Sequence, residues 1–205
     1  PEMGLRLILD GLVKSYPGRP VFSGISAEVQ EGKRLVITGP NGSGKSTLMR
    51  IISGFVRPTG GTVTFEIEDR KLARLEIRPH IGLVSPDLVL YDELTAFENL
   101  MFFAGVAGLH FSIDVLSARL DRVGLHKRGC DLVGSYSSGM VQRLKYCLAL
   151  LRDPELLLLD EPTANLDDEG KSLISDIIES HNGVLVIATN EQTELRYGDE
   201  IIRLG

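Results

Sequence analysis

Arg34-Leu35-Val36-Ile37-Thr38-Gly39-Pro40-Asn41-Gly42-Ser43-Gly44-Lys45-Ser46-Thr47 is the stretch on which the reading of this chain turns. Residues 34–38 read as a buried strand that runs into a Gly-rich loop, and a helix follows over about 45–53, closed by Gly54 with Pro58 soon after. Residues 39–47 fit G-x-x-x-x-G-K-[ST]. Glycines let the backbone turn tightly, so successive N–H groups point inward at phosphate oxygens, and the helix start adds its dipole. Gly39, Pro40, Asn41, Gly42, Ser43, Gly44 and Thr47 are thus expected to cradle a nucleotide. Lys45 is expected to reach its β- and γ-phosphates, and Ser46 to offer a hydroxyl to Mg²⁺. At ~7% Gly per position such a match arises by chance in on the order of one chain in a hundred. Here it also falls where the mechanism needs it, between strand and helix.

The second informative stretch is Leu156-Leu157-Leu158-Leu159-Asp160-Glu161, an apolar strand delivering two carboxylates at its C-terminal end. In an open α/β sheet that is the edge where ligands bind. Asp160 can hold Mg²⁺, directly or through water, while Glu161 can orient or deprotonate an attacking water. Other strand candidates are residues 5–9, 21–29, 61–66, 81–84 and 184–188, with a turn at Tyr16-Pro17-Gly18. From Thr95 to about Leu151 the character is helical: Thr95 and Glu98 form a capping box, and residues 112–123 and 138–151 have helical spacing. Residues 168–180 make a further helix. Near-continuous apolar strands alternating with helices imply a mainly parallel sheet covered on both faces.

The 205 residues suit one domain with a sizeable core, and 43% apolar with 24% charged residues is ordinary for a soluble globular protein. A net charge of -6 favours neither nucleic acid nor an anionic membrane surface, so no nucleic-acid partner is expected. Cys130 and Cys147 form no CxxC pair and fit a reducing compartment, while the four histidines lack metal-ligand spacing and read as surface or packing residues. The longest uncharged stretch, 100–113, is far short of the ~20 residues that span a bilayer, and no signal peptide is expected. The expected place is cytoplasmic, with any membrane connection made through a partner.

The motifs resemble those of the ABC ATPase family, in the right order over nearly the whole chain. Tyr136-Ser137-Ser138-Gly139-Met140, followed by Gln142-Arg143, resembles the family's LSGGQ signature, with Ser137 and Gly139 at the matching Ser and second Gly. Asp160-Glu161-Pro162-Thr163-Ala164-Asn165-Leu166-Asp167 is similar to the Walker B and D-loop run, and Tyr16 stands where the family stacks an aromatic residue on adenine. The resemblance implies a P-loop NTPase core of residues 1–86 and 152–205 with a mainly parallel sheet and an N-terminal antiparallel β subdomain. A helical signature subdomain of about 87–151 is inserted into it. It further implies that Ser137, at a helix start, faces the γ-phosphate bound by another subunit, so that two ATP molecules are clamped head to tail between two chains. The pair would be a homodimer or a heterodimer with another ABC ATPase.

Two positions depart from the family pattern. Pro86 falls where the family has a glutamine, so a magnesium and water contact is lost unless Ser85 or Asp87 replaces it. Asn190 stands at the switch histidine; it can hydrogen-bond a γ-phosphate but carries no imidazolium charge. The implied function is the ATP-hydrolysing subunit of a transporter, peripheral to the inner face of a membrane through an integral permease, with weak turnover. Residues 91–100 resemble the region that precedes the helical subdomain of exporter-type modules, and the short chain suits a compact exporter. The alternative is an ATP-gated binding subunit with little hydrolysis. A DNA- or ribosome-acting cassette protein would carry two cassettes or coiled-coil insertions. A P-loop kinase would need an acceptor pocket and lid in place of the signature.

Overall fold

The computed structural model describes residues 4–205; residues 1–3 of the expected domain lie outside the described residues. Two sheets form. In the first, β1 (Arg6–Tyr16), β2 (Arg19–Gln30), β4 (Gly60–Ile67) and β5 (Arg70–Lys71) pair antiparallel in the order β2-β1-β4-β5. In the second, β3 (Arg34–Thr38), β6 (Ile81–Val84), β7 (Leu156–Asp160), β8 (Val184–Thr189) and β9 (Glu200–Arg203) are all parallel, in the order β6-β7-β8-β3-β9. The helices are α1 (Lys45–Ile52), α2 (Ala96–Val106), α3 (Ile113–Arg122), α4 (Ser138–Ala149) and α5 (Asp168–Ser180).

Every residue of β7 and β8 is buried because both faces of the parallel sheet are covered. Side chains alternate between two cores. Leu157, Leu159, Leu185 and Ile187 pack with α2–α5, while Leu156, Leu158, Val184 and Val186 pack with α1 and the antiparallel sheet. A Leu→Ala change in β7 is therefore expected to cost about 2–5 kcal/mol. Thr95 Oγ1 accepts from the Glu98 N–H at 3.2 Å and Glu98 Oε2 accepts from the Thr95 N–H at 2.8 Å, completing the capping box of α2. These bonds hold the Glu98 carboxyl below its usual range. Ser112 and Asp167 cap α3 and α5 by a single bond each, accepting from the Val115 and Gly170 N–H.

One expectation needs correction, and one strand went unread. β1 runs on through Tyr16, well beyond residue 9, because Gly11 at φ 56° and the register shifts around Leu12 form a bulge that carries the strand past Asp10. The short edge strand β9, with charged residues at both ends, extends the parallel sheet beside β3 and gave no apolar run to read. What matters for function is the order β7-β8-β3. It sets the C-terminal ends of three neighbouring strands side by side, and they deliver Asp160 and Glu161, Asn190, and the loop from Gly39.

Candidate active site

The loop from Gly39 to Gly44 leaves β3 and enters α1 at Lys45. Gly44 is the N-cap residue at φ 103°, a backbone that side-chain-bearing residues rarely adopt. At Gly39 a Cβ would overlap the Leu204 carbonyl. No side chain caps α1, so its first-turn amides are left to a ligand. Lys45 is 6% exposed, and its ammonium donates to the carbonyls of Gly39 (2.8 Å) and Pro40 (3.4 Å). Its Nζ lies 4.0 Å from Glu161 Oε1. A cleft of about 450 Å³ is lined by Asn41, Gly42, Gly44, Lys45, Ser46 and Thr47 at one end, Glu161 beside them, and Tyr16 with Arg19 at the other. Lys14 Nζ sits 4.6 Å over the Tyr16 ring and donates to the Arg57 carbonyl at 3.0 Å, which fixes the ring's surroundings.

Asp160 is 3% exposed, lies beside the Ser46 hydroxyl, and has one oxygen, Oδ1, with no partner. Its carboxyl is raised in pKa, chiefly by burial. A buried carboxylate with an unpartnered oxygen beside a serine hydroxyl is a donor set that fits Mg²⁺, a hard cation with oxygen ligands. Glu161 adopts φ 51°, held by its N–H donating to the Ala188 carbonyl at 2.8 Å. Burial raises its carboxyl as well, while Lys45 opposes the shift. A less acidic carboxylate at the phosphate loop is suited to accept a proton. The backbone N–H of Asn190 faces the Glu161 carboxylate, and the Asn190 side-chain amide donates to Asn41 Oδ1 at 3.2 Å.

Ser137 and Gly139 are not brought to this cleft. Ser137 is the N-cap of α4, exposed, and accepts from the Met140 N–H at 3.2 Å; its own hydroxyl proton remains available. Gly139 lies against the Asn165 carbonyl, where a Cβ would approach to 3.2 Å. Of the two residues able to replace a glutamine at position 86, Ser85 accepts from the Asp87 N–H through its Oγ and Asp87 is ion-paired with Arg50. Three participants escaped the sequence reading. Arg19 faces the cleft from across the Tyr16 turn. Glu194 is buried and accepts from Thr163 Oγ1 at 2.5 Å, and Lys145 is buried on α4.

A phosphate loop after β3, an acid pair at the end of β7 two strands away, and a second helix N-terminus facing elsewhere define a P-loop ATPase cassette. A family model described as "ABC transporter" matches residues 22–164. The chain belongs to that family: it is an ATP-binding ATPase subunit of the kind that dimerises and serves membrane permease subunits. It is 34% identical over 189 residues to the linearmycin resistance ATP-binding protein LnrL of Bacillus subtilis, covering 90% of this chain and 61% of that one. It is also 34% identical over 209 residues to the cytochrome c biogenesis ATP-binding export protein CcmA of Cupriavidus pinatubonensis, covering 99% and 90%. Among solved structures, the dimeric bacterial ABC transporter cassette MJ0796 superimposes with a TM-score of 0.83 at 27% identity, over 97% of this chain and 94% of that one. A post-hydrolysis state of the same cassette, bound to ADP and Pi, superimposes with a TM-score of 0.82.

Proposed function

We propose that this chain binds Mg-ATP between the phosphate loop and Tyr16 and pairs head to tail with a second cassette, a copy of itself or another ABC ATPase. Hydrolysis then drives an integral permease that exports its cargo. The observation that carries this reading is the separation of two complementary halves. Lys45, Ser46 and Glu161 line one cleft with Asp160 buried beside Ser46, while Ser137 stands exposed and Gly139 half-buried at a different helix start. Each chain thus offers one cation-lined cleft and one anion-binding helix end, and two chains complete two sites.

In this reading Tyr16 stacks on adenine, Gly39 to Thr47 enclose the phosphates, and Lys45 exchanges its carbonyl partners for phosphate oxygens. Ser46 and Asp160 would hold Mg²⁺, which would supply charge neutralisation to the phosphates. Glu161 takes a proton from the attacking water as that water's oxygen bonds to the γ-phosphorus and the bond to the bridging oxygen breaks, releasing ADP. Asn190 turns from Asn41 to the γ-phosphate and donates a neutral hydrogen bond. Residues 87–151 act as a helical subdomain inserted into a core of 1–86 and 152–205.

Among the described residues no helix is long and apolar enough to cross a membrane, which fits a cytoplasmic subunit held at the membrane by its permease. A groove of about 450 Å³ offers the permease a seat: it is lined by Leu83, Phe103 and Leu109, with Phe55 72% and Leu75 71% exposed at its rim. The export direction rests on relatives named for resistance and export. Sedimentation of Glu161→Gln tests the pairing: the variant should dimerise at saturating Mg-ATP and not with ADP. A variant that stays monomeric with Mg-ATP overturns self-pairing and leaves pairing with a different cassette.

A further inference from the structure

α4 carries Gln142, Lys145 and Tyr146 at i, i+3 and i+4, so the three share one helix face. All three are buried, which for a lysine is costly unless its donors are used. They are used on main-chain carbonyls. Lys145 Nζ donates to the carbonyls of Ser85 and Pro86, each at 3.2 Å, in the turn that follows β6. Tyr146 Oη donates to the Pro162 carbonyl at 3.0 Å and Gln142 Nε2 to the same oxygen at 3.5 Å, in the turn that follows β7. Pro162 is bonded directly to Glu161, and Thr163 is anchored in turn by Glu194. The turn after β6 is gripped from its other side by Arg50 of α1, through Asp87. The acid nearest Lys145 is therefore already committed, and the hold of Lys145 is on carbonyl oxygens.

We propose that Lys145 and Tyr146 are positioning residues: with Gln142 they form a polar docking face that fixes α4, and so Ser137 at its start, to the strand ends that carry Asp160 and Glu161. An apolar helix face slides over its neighbours at little cost, because dispersion contacts are non-directional. Hydrogen bonds from a buried cation and a buried phenol to defined carbonyls fix rotation and register together. A displacement of Ser137 on meeting a γ-phosphate is thereby passed through the same helix to the Pro162 turn beside Glu161. Removing the face leaves the phosphate cleft intact, since none of the three residues lines it.

The inference rests on the proposed roles of Ser137 and Glu161, so the test has one arm that does not. Lys145→Met and Tyr146→Phe keep the buried volume and remove the donors, and Lys145→Arg restores a cation. Without nucleotide, amide hydrogen exchange at Asp87 and Leu88 should speed up in Lys145→Met, and at Thr163 and Ala164 in Tyr146→Phe. In steady-state hydrolysis, Lys145→Met should lower kcat about 10-fold or more, as misplacement of a reacting group does, with KM and the affinity for a fluorescent ATP analogue unchanged. Lys145→Arg should recover most of the rate. Unchanged exchange overturns the docking face, whatever becomes of the roles of Ser137 and Glu161. Wild-type kcat in Lys145→Met, or a loss of ATP affinity matching the loss of kcat, overturns its positioning role.

Discussion

Asp160→Asn should make the nucleotide-free protein more stable while removing its response to magnesium. The aspartate is 3% exposed, the Ser46 hydroxyl lies beside it, and Oδ1 has no partner. An unpaired buried polar atom costs about 1–3 kcal/mol, more when charged. Desolvation, Asp87 and their opponents Lys45, Arg50 and Ser46 leave a net raised pKa, so the environment as a whole disfavours the charged form. Asparagine keeps the volume and the Ser46 contact and removes the charge, but it places an unpaired NH₂ in the same pocket. Part of the cost is thus recovered, about 1 kcal/mol, which for a domain of this size raises Tm by roughly 2–4 °C.

The ligand side has the opposite sign. A ligand present at 100 times its Kd stabilises the native state by ~2.7 kcal/mol. In the wild type, Mg-ATP should therefore raise Tm more than ATP with a chelator, and in Asp160→Asn those two shifts should coincide. Scanning calorimetry of both proteins, without nucleotide, with ATP plus chelator and with Mg-ATP, gives all the numbers needed. A nucleotide-free variant that melts below the wild type would mean that Asp160 is a structural anchor. An undiminished magnesium-dependent shift would remove it from the metal site.

Lys45→Ala should abolish binding of a fluorescent ATP analogue in a folded protein, because the cleft loses the buried cation that otherwise rests on the Gly39 and Pro40 carbonyls; near-wild-type affinity refutes this. Asn190→His should raise kcat with little change in nucleotide affinity, since a positioned charged donor is typically worth ~10²–10³ in rate; a rate the same or lower would show that the neutral amide suffices. Burial pushes the His181 imidazole below its ordinary range, so the unfolded chain binds a proton that the folded chain resists. Stability should then fall as pH drops through about 6.5, and His181→Gln should flatten that loss in urea midpoints measured at pH 7.5 and 5.5.

The parts of the site that could be read from sequence are those in which chemistry is concentrated in consecutive residues. A phosphate cradle needs adjacent amides, so Gly39 to Thr47 announce themselves, and a strand buried on both faces that ends in acids is just as local. Capping is local as well, and Thr95 with Glu98 was legible for that reason. β9 was not, because an edge strand paired on one side needs little apolar content. Nor was the extent of β1, because the Asp10-Gly11 interruption is a bulge within a strand and looks like its end.

The buried polar residues failed to register for a different reason. Lys145 reads as a solvent-facing residue until the carbonyl at Ser85, 60 positions earlier, is brought beneath it, and Glu194 until Thr163, 31 positions earlier, is. A buried charge is stable only when its partners are in place, and for Lys145 those partners are main-chain oxygens that any sequence would supply. Identity therefore carries no signal at the acceptor end, and only the topology β6-β7-β8 creates the site. The same fact bears on position 86. Proline cannot give the side-chain contact expected there, yet its carbonyl is one of the two that hold Lys145. Position 86 thus lacks a side chain that could face the nucleotide, while its main-chain link to α4 is one that any residue there would make.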